Sequence, residues 1–489
     1  MPRNRVIYQS EALFVGPSPA TGIHFHNYSG LTGDNVMKKA RALHTLDAKW
    51  ANQLSASGET AVVTIFTGTS GSNTAGDVFK FAPGASHSAA SKIQSITFTG
   101  GNRIEQLHRI QSCNYSFNIA RTDVNQFGEL AAIDRVVLES PTVALDFSYV
   151  LANFANEKKL GFDIVQGSQG VLYKGGLGIS CLSGILTKKE DERNYFIKTV
   201  DEGYDAKDHE STRLGGGAAV KGYGDSVIAL GNGFITSYTS EASVGAMPTV
   251  SVNVEALNMC FEYGSTSKKT PAINPADGTR RSEVYSLPTA GSNPGTGNLT
   301  ISVLRPGDIT FSFKKREHIL AGGGGLEATP TLDYDVPGPD LDDVKIQSYS
   351  IGFDVAREPI QKLGSRFAFS REITFPVTVT CTIDALVGDL NSGNLGDMIN
   401  CDDAYDIKIN LKNPAGCSVD STQTVCEYNL RQAKVNSQSY TSDIGSNKSV
   451  TLEFAAQIGG PNQNYVGLFM SGVADNKYAR VGELSVDNS

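Results

Sequence analysis

The chain repeats itself, and this internal repeat constrains its fold more than any other feature of the sequence. Residues 110–121 read IQSCNYSFNIAR and residues 346–357 read IQSYSIGFDVAR, with six of the twelve positions identical and no gap. Two unrelated stretches of ordinary composition would share roughly one position. Self-similarity at a long spacing predicts that two parts of the chain fold into the same structure.

A second pair of similar segments follows the first in the same order. The sequence SYTS at 237–240 returns at 439–442, and VSVNVEA at 250–256 returns as VTLEFAA at 450–456. The offset between copies falls from 236 (110 to 346) to 202 (237 to 439), so the first copy carries a net 34 extra residues. We place this insertion in 161–230, because Gly-rich and charged insertions usually lie in exposed loops.

The first repeated segment alternates between apolar and small polar residues in both copies. One face of the predicted strand carries Cys113, Tyr115, Phe117 and Ile119 in the first copy, and Tyr349, Ile351, Phe353 and Val355 in the second. A period of two predicts a strand with one face in the core and the other in water. The polar face fits either the wall of a water-filled channel or an ordinary solvent-facing sheet.

The composition predicts a mainly β protein. The 51 glycines are spread among short apolar runs, with 40% hydrophobic and 19% charged residues, which favours β-sandwich or barrel units. Residues 151–160 predict a short helix ended by Gly161, and we expect about one short helix in each unit. We divide the chain into a first unit with an N-terminal arm and loop insertions (1–262), a linker or inserted segment with one hairpin (263–342), and a second unit (343–489).

The charge balance argues against a protein that grips nucleic acid. The formal net charge is −9 and the sequence pI is about 5.4. Phosphate binding requires a basic face, whereas an acidic wall repels phosphates and lets DNA slide past without binding it.

Neither a membrane span nor a secretion signal is predicted. No apolar run approaches the roughly 18 residues of a transmembrane helix, and the first residues lack the apolar core of a signal peptide. The seven cysteines are odd in number, so we expect reduced thiols. One disulfide within the group Cys401, Cys417 and Cys426 stays an alternative on the sequence alone.

No pattern in the sequence predicts catalysis, a cofactor or a metal site, and we expect that the protein is not an enzyme. His24 and His26 would share one face of a strand, but no nearby carboxylate or cysteine completes a metal site. Gly215–Gly217 and the later Lys221 lack the spacing of a phosphate-binding loop. The paired acids of the sequence are common in turns and do not by themselves indicate acid–base chemistry.

Four segments of the first copy carry a resemblance to a known family. They are SFNIAR at 116–121, Phe127-Gly128, 141–149, and NEKKLGF at 156–162. Together they resemble the tail tube proteins of long-tailed bacteriophages, and the duplication resembles the T5-like type, in which one chain carries two tube domains. The resemblance covers 104–262 and 343–460. It implies two tandem β-sandwich or barrel domains whose inner sheets join into a β-barrel across subunits.

The resemblance also implies a function and partners. The chain would be a structural virion protein, the major tail tube subunit, and three copies would form each pseudo-hexameric ring. Rings would stack through loops and termini, for which 1–30, 185–214 and 262–342 are candidates. The tube would conduct DNA from capsid to host without binding it specifically. Tape-measure, tail terminator and tail-tip proteins would be its partners, and assembly would take place in the host cytoplasm.

Two other functions stay open on the sequence alone. A tail-tip or baseplate hub, or a decoration protein of the virion, would share this β-rich texture. A carbohydrate-binding fibre or adhesin would need clustered aromatic and acidic residues. The single Trp50 and the dispersed tyrosines make that function less favoured.

Overall fold

The structure is a computed structural model in which strands dominate, as the sequence predicts. It describes residues 11–17, 25–27, 62–67, 74–79, 95–99, 104–138, 140–165, 180–186, 191–200, 206, 226–263, 268–275, 278–281, 284–285, 287, 303–316, 345–364, 367–368, 370–386, 404–412, 424–441, 447–459 and 466–472.

The strands are numbered in chain order. Those before residue 300 are β1 (Glu11–Pro17), β2 (Phe25–Asn27), β3 (Val62–Thr67), β4 (Thr74–Phe79), β5 (Ser95–Thr99), β6 (Glu105–Gln106), β7 (Ile110–Asn118), β8 (Thr122–Val124), β9 (Asp134–Val136), β10 (Thr142–Val150), β11 (Ile164–Val165), β12 (Arg193–Thr199), β13 (Ser226–Ser243), β14 (Thr249–Ala256), β15 (Asn258–Tyr263), β16 (Lys268–Lys269) and β17 (Val284–Tyr285). The later ones are β18 (Ile309–Arg316), β19 (Lys345–Asp354), β20 (Arg357–Ile360), β21 (Ser370–Ile373), β22 (Thr378–Leu386), β23 (Ala404–Lys412), β24 (Thr424–Thr441), β25 (Ser449–Gln457) and β26 (Gly467–Gly472). The helices are α1 (Ala155–Leu160) and α2 (Ser183–Leu186), with a 3-10 turn at Pro306–Asp308.

Eight strands form one continuous antiparallel sheet, which we call the inner sheet. Their spatial order is β7-β10-β14-β13-β19-β22-β25-β24. The order contains the same arrangement twice, four strands from the first part of the chain and then four from the second. The two sets meet where β13 pairs with β19, and we call this pairing the internal seam.

The two longest strands, β13 and β24, connect the inner sheet to a second layer. Their first halves pair in the orders β6-β1-β12-β13-β15 and β18-β23-β24-β26-β11, which together form the outer layer. Aromatic side chains fill the space between the layers. The ring centroids of Phe147 and Tyr195 lie 6.3 Å apart, and those of Phe313 and Phe454 lie 5.8 Å apart. The fold is thus a sandwich whose two sheets share their longest strands.

Alternation in the inner strands builds this core. In β14 the residues Val250, Val252 and Val254 are buried while their neighbours face the other side, and β25 repeats the pattern with Val450, Leu452 and Phe454. Burying each such side chain contributes about 1.5–3 kcal/mol. The strand prediction from the sequence is therefore confirmed here.

The registers of the two four-strand sets correspond through constant offsets. Phe117 of β7 lies opposite Val143 of β10, and Phe353 of β19 lies opposite Val379 of β22, so both strands are displaced by 236 positions. Farther along, Asn232 of β13 and Gln432 of β24 share a positive φ of 55° and 54°. The two residues that share this backbone conformation lie 200 positions apart in the sequence.

The self-alignment of the SYTS segments is wrong by two residues. Tyr238 of β13 lies opposite Val252, and the residue in the matching position of β24 is Gln438, opposite Leu452. Each strand contains a bulge, between 235 and 237 and between 435 and 437. The bulges fix the register, and the offset is therefore 200 rather than 202. Tyr440 matches Ser240 instead of Tyr238.

The helix predicted over 151–160 is observed as the shorter α1. It ends at Gly161, whose φ of 102° is the left-handed conformation that glycine adopts readily at a helix end. The matching connection in the second half, 387–403, lies outside the described residues, so a helix there stays a prediction. In the described part of the chain, no helix is long and apolar enough to cross a bilayer.

The predicted segment boundaries also stay predictions. The strand β18 falls within 263–342, and it pairs with β23 along its whole length, from Ile309 opposite Leu411 to Arg316 opposite Ala404. The described cysteines form no disulfide with one another, and Cys401 and Cys417 lie outside the described residues.

Candidate assembly surface

The internal seam is a tightly packed antiparallel pairing. Tyr238 and Phe353 lie opposite each other, are both buried, and stack with ring centroids 5.5 Å apart and an interplanar angle of 17°. At the same seam, a Cβ on Gly352 would lie 2.8 Å from Oγ1 of Thr239 and 2.9 Å from the carbonyl oxygen of Tyr238. At the internal seam, the edge strand of one four-strand set therefore covers the edge strand of the other set completely.

The strand β7 is the counterpart of β19 but lies at the end of the inner sheet, where only β10 pairs with it among the described residues. Tyr115 and Phe117 are 36% and 43% exposed, whereas their counterparts Ile351 and Phe353 are 1% and 4% exposed. The predicted apolar face is therefore fully buried in the second copy and only partly covered in the first, because the first lacks a neighbouring strand.

The opposite end of the inner sheet is the second half of β24. Within the described residues, Ser437–Thr441 pair only with β25. Tyr440 is 47% exposed, and Nζ of Lys448 lies 5.3 Å from the centroid of its ring. The inner sheet thus ends in two open edges, one from each set of strands.

The face of the inner sheet that points away from the core is acidic. Its eight central spans are 112–118, 142–148, 237–243, 249–255, 348–354, 378–384, 437–441 and 449–457, and none contains Lys or Arg. The polar face of these spans carries Asp146, Glu241, Glu255, Asp354, Asp384 and Glu453 among small polar residues. Two lysines of these strands lie beyond the bulges: Lys345 begins β19, and the exposed Lys434 lies opposite Ala455 of β25. Glu255 is neutralised by Arg371, whose Nη1 lies 2.7 Å from Glu255 Oε1, so the repulsion of anions by the central face rests on the other five acids.

Neighbouring hydroxyl groups hold several of these carboxylates in place. Asp384 accepts hydrogen bonds from Ser348 Oγ at 2.7 Å and from Thr451 Oγ1 at 2.6 Å, on the strands to either side. Ser437 Oγ donates to Glu453 at 3.0 Å. Donors from adjacent strands therefore hold the carboxylates of Asp384 and Glu453 in fixed positions on this face.

A buried acidic cluster lies at the level of the internal seam. Glu157 of α1 accepts hydrogen bonds from Tyr149 Oη at 2.7 Å and from Tyr238 Oη at 3.3 Å, and the Tyr238 and Tyr428 hydroxyls are 2.9 Å apart. Burial raises the pKa of Glu157 to about 7, although the hydrogen bonds from the two tyrosines act in the opposite direction. The cluster joins α1 to strands from both sets.

Two hairpins extend from the ends of β7 and β19. In the second, β20–β21, Arg357 forms a buried ion pair with Asp191 and its guanidinium carbon lies 4.9 Å from the centroid of the Phe234 ring. The turns of both hairpins carry fully exposed apolar side chains, Phe127 in the first and Leu363 in the second. The second hairpin therefore has a base anchored in the fold, and both hairpins have apolar tips in solvent.

The structure brings together few of the residues weighed for chemistry at the sequence level. His24, Gly215–Gly217 and Lys221 lie outside the described residues, as does much of the candidate stacking segments 1–30, 185–214 and 262–342. In the ranges that the structure describes, no group of three or more His, Cys, Asp or Glu side chains could hold a metal ion. Sequence reasoning missed Glu157, because two tyrosines of its cluster, Tyr238 and Tyr428, are distant from it in the sequence.

Comparison with known proteins identifies no family. No family model matches the chain, and no curated protein matches it. Among solved structures, a chain of the anti-feeding prophage baseplate is similar over 26% of this chain and 80% of its own length, with 16% identity and a TM-score of 0.19. A TM-score this low does not indicate a shared fold.

Proposed function

We propose that the protein is a structural subunit of a bacteriophage tail, the major tail tube protein, and that it has no enzymatic activity. One observation carries the proposal. Two matching sets of four strands form a single sheet whose two edge strands have no further partner strand among the described residues, and the sheet has an acidic face without a basic residue in its central spans. Such a sheet is suited to closing into a barrel around a channel.

In this proposal the two sets are tandem tube domains, and the internal seam is the model for contacts between subunits. Closing a sheet across subunits removes the exposed strand edges that otherwise promote aggregation. Three copies would contribute about 24 strands to a pseudo-hexameric ring. Head-to-tail stacking of such rings would produce a filament, because a heterologous contact that does not close propagates.

The acidic face would line the lumen. DNA carries about one negative charge per 1.7 Å of helix axis, so a wall with Asp146, Glu241 and Asp384 would repel it and allow rapid passage. The tube would assemble in the host cytoplasm, with tape-measure, tail terminator and tail-tip proteins as partners. In the virion it would form part of the tail and conduct DNA without specific binding.

Negative-stain electron microscopy of the purified protein, with averaging of end-on views, tests this function. Hollow tubes of one diameter with threefold order and a near-sixfold appearance are the expected result. Single rings that never stack would favour a tail-tip or baseplate hub. A chain that stays monomeric even when it is mixed with a tail-tip complex would contradict the tube function and leave a decoration protein.

A further inference from the structure

Resting on the proposed function, we infer that copies of the chain join through β24 of one copy and β7 of the next. The strands pair antiparallel, in the register that places Ser439 opposite Ser116 and Tyr440 opposite Tyr115. The partner of each open edge is thus a second copy of this chain, and we call this contact the ring seam.

The internal seam supplies the register. It pairs seven residues of β13 with seven of β19, including Thr239 with Gly352 and Ser240 with Ile351. The counterpart in β24 lies 200 positions after each β13 residue, and the counterpart in β7 lies 236 positions before each β19 residue. Applied to the pair Thr239 and Gly352, these offsets give Ser439 and Ser116.

In the part of the chain that the structure describes, the central spans of both open edges lack several of the features that keep strand edges from pairing, although a bulge lies beside each span. Proteins protect exposed edges with charged residues, proline, bulges or a covering segment. Ser112–Asn118 of β7 and Ser437–Thr441 of β24 contain no charged residue and no proline. The inferred register also brings no like charges together, because it places Asn114 opposite Thr441 and Asn118 opposite Ser437.

The ring seam would bury the aromatic side chains that the isolated chain exposes. Tyr115 and Tyr440 lie on the core side of their strands, and the register places them directly opposite each other. Phe117 would lie opposite Gln438, in the position where Phe353 packs against Tyr238 at the internal seam. Aromatic pairs across antiparallel strands contribute to sheet stability, and the exposed half of β7 would acquire the environment of β19.

The backbone pattern of the internal seam identifies the best positions for a covalent test. The amide of Val244 donates to the carbonyl of Gln347 at 2.9 Å, and the amide of Val355 donates to that of Thr236 at 2.7 Å. Even-numbered residues of β13 therefore belong to hydrogen-bonded pairs, whereas Thr239 and Gly352 form a non-hydrogen-bonded pair. Side chains are closer in such pairs, so Ser116 and Ser439 suit a disulfide. The ring seam must be slightly wider here than the internal seam, because a Cβ at the position of Gly352 would lie 2.9 Å from the carbonyl oxygen of Tyr238.

The experiment introduces Ser116→Cys and Ser439→Cys separately into the full chain, mixes the two proteins, and oxidises the mixture with glutathione disulfide. A covalent dimer on a non-reducing gel is expected from the mixture and from neither variant alone. The double variant should give a ladder that ends at the number of copies in a ring. Burial raises the pKa of the native Cys113 thiol to about 12, so it should react slowly.

A matched control replaces Ser439→Cys by Thr441→Cys. In the inferred register residue 441 is diagonal to Ser116, too far for an unstrained disulfide, and at least about tenfold less covalent dimer is expected. Dominant cross-linking between 116 and 441 would overturn the register, since an offset of 202 would place these two residues opposite each other. Absence of cross-linking from both pairs would overturn the ring seam itself.

Electron microscopy of the same samples separates this inference from the proposed function. Cross-linking between 116 and 439 without hollow tubes would support the ring seam and contradict the tube. Hollow tubes without that cross-link would support the tube and overturn the ring seam. The absence of both would overturn both, and the unmodified chain, imaged in parallel, shows whether the serine substitutions themselves prevent assembly.

Discussion

The strands β7 and β19 share one sequence pattern and differ in their surroundings. In β19, Ile351 and Phe353 are buried, while Tyr115 and Phe117 at the matching positions of β7 are more than a third exposed. The difference arises from the neighbours, because β19 lies between β13 and β22 whereas β7 pairs with β10 alone among the described residues. An alternating pattern thus specifies which face is apolar, and the strand order specifies whether that face is covered.

The largest effect is expected from truncating one phenylalanine in each strand. Phe353→Ala removes a ring from a closed core and should lower the free energy of unfolding by about 3–5 kcal/mol. Phe117→Ala should cost less than about 1 kcal/mol in the isolated chain, because its ring already contacts water. Urea unfolding of both variants at a concentration where the wild type is monomeric measures the difference.

The same pair of variants also separates folding from assembly. Phe117→Ala should raise the protein concentration needed for rings, which sedimentation velocity detects, while leaving the monomer folded. Equal destabilisation by Phe117→Ala and Phe353→Ala in the monomer would show that β7 is covered within a single chain, and the comparison of the two strands would fail.

The bases of the two hairpins allow a second comparison. Arg357 is buried against Asp191, and its counterpart Arg121 is exposed. Arg357→Ala would leave a buried carboxylate without its partner and should cost about 3 kcal/mol, whereas Arg121→Ala should stay within about 0.5 kcal/mol. Chemical denaturation measures both. A large loss of unfolding free energy from Arg121→Ala in the monomer would show that the first hairpin also has a buried ion pair at its base, and the comparison would fail.

Among the described residues, the second set of strands does not repeat the tyrosines of the buried cluster around Glu157, because Gln438 and Ala385 stand at the positions that match Tyr238 and Tyr149. Burial raises the pKa of Glu157 from 4.5 to about 7. Between these values the folded chain keeps a proton that the unfolded chain releases, so the contribution of Glu157 falls by about 3 kcal/mol as the pH rises.

The variant Glu157→Gln isolates this contribution. Its free energy of unfolding, minus that of the wild type, should increase by about 3 kcal/mol between pH 4.5 and pH 7 and then level off. Urea unfolding across this range measures it, and Glu241→Gln on the exposed polar face serves as the control. A difference that does not change with pH would contradict a protonated Glu157 in the fold.

Local patterns in the sequence predict the strands, the apolar face of each and the helix end at Gly161, because these depend on residues close in the chain. The register between the copies is not predictable in this way. The SYTS match is out of the structural register by two residues, because the bulges of β13 and β24 lie 200 positions apart, and nothing in that segment indicates where a bulge falls. The cluster around Glu157 is equally hidden, since Tyr238 and Tyr428 are brought to it only by pairing between strands that are distant in the sequence.

The smallest effect on stability is expected at the hairpin tips, where the two copies are alike. Phe127 and Leu363 are fully exposed, and each precedes a glycine with a positive φ, 94° at Gly128 and 84° at Gly364. Replacing either with Ser removes no buried area, so the free energy of unfolding should change by less than about 0.5 kcal/mol.

Exposed apolar side chains that repeat at matching positions are suited to a contact between stacked rings. Rings should therefore persist in both variants while tubes seen by electron microscopy become shorter, and a shift in thermal unfolding of more than a few degrees in either variant would show that the tip packs within the chain instead.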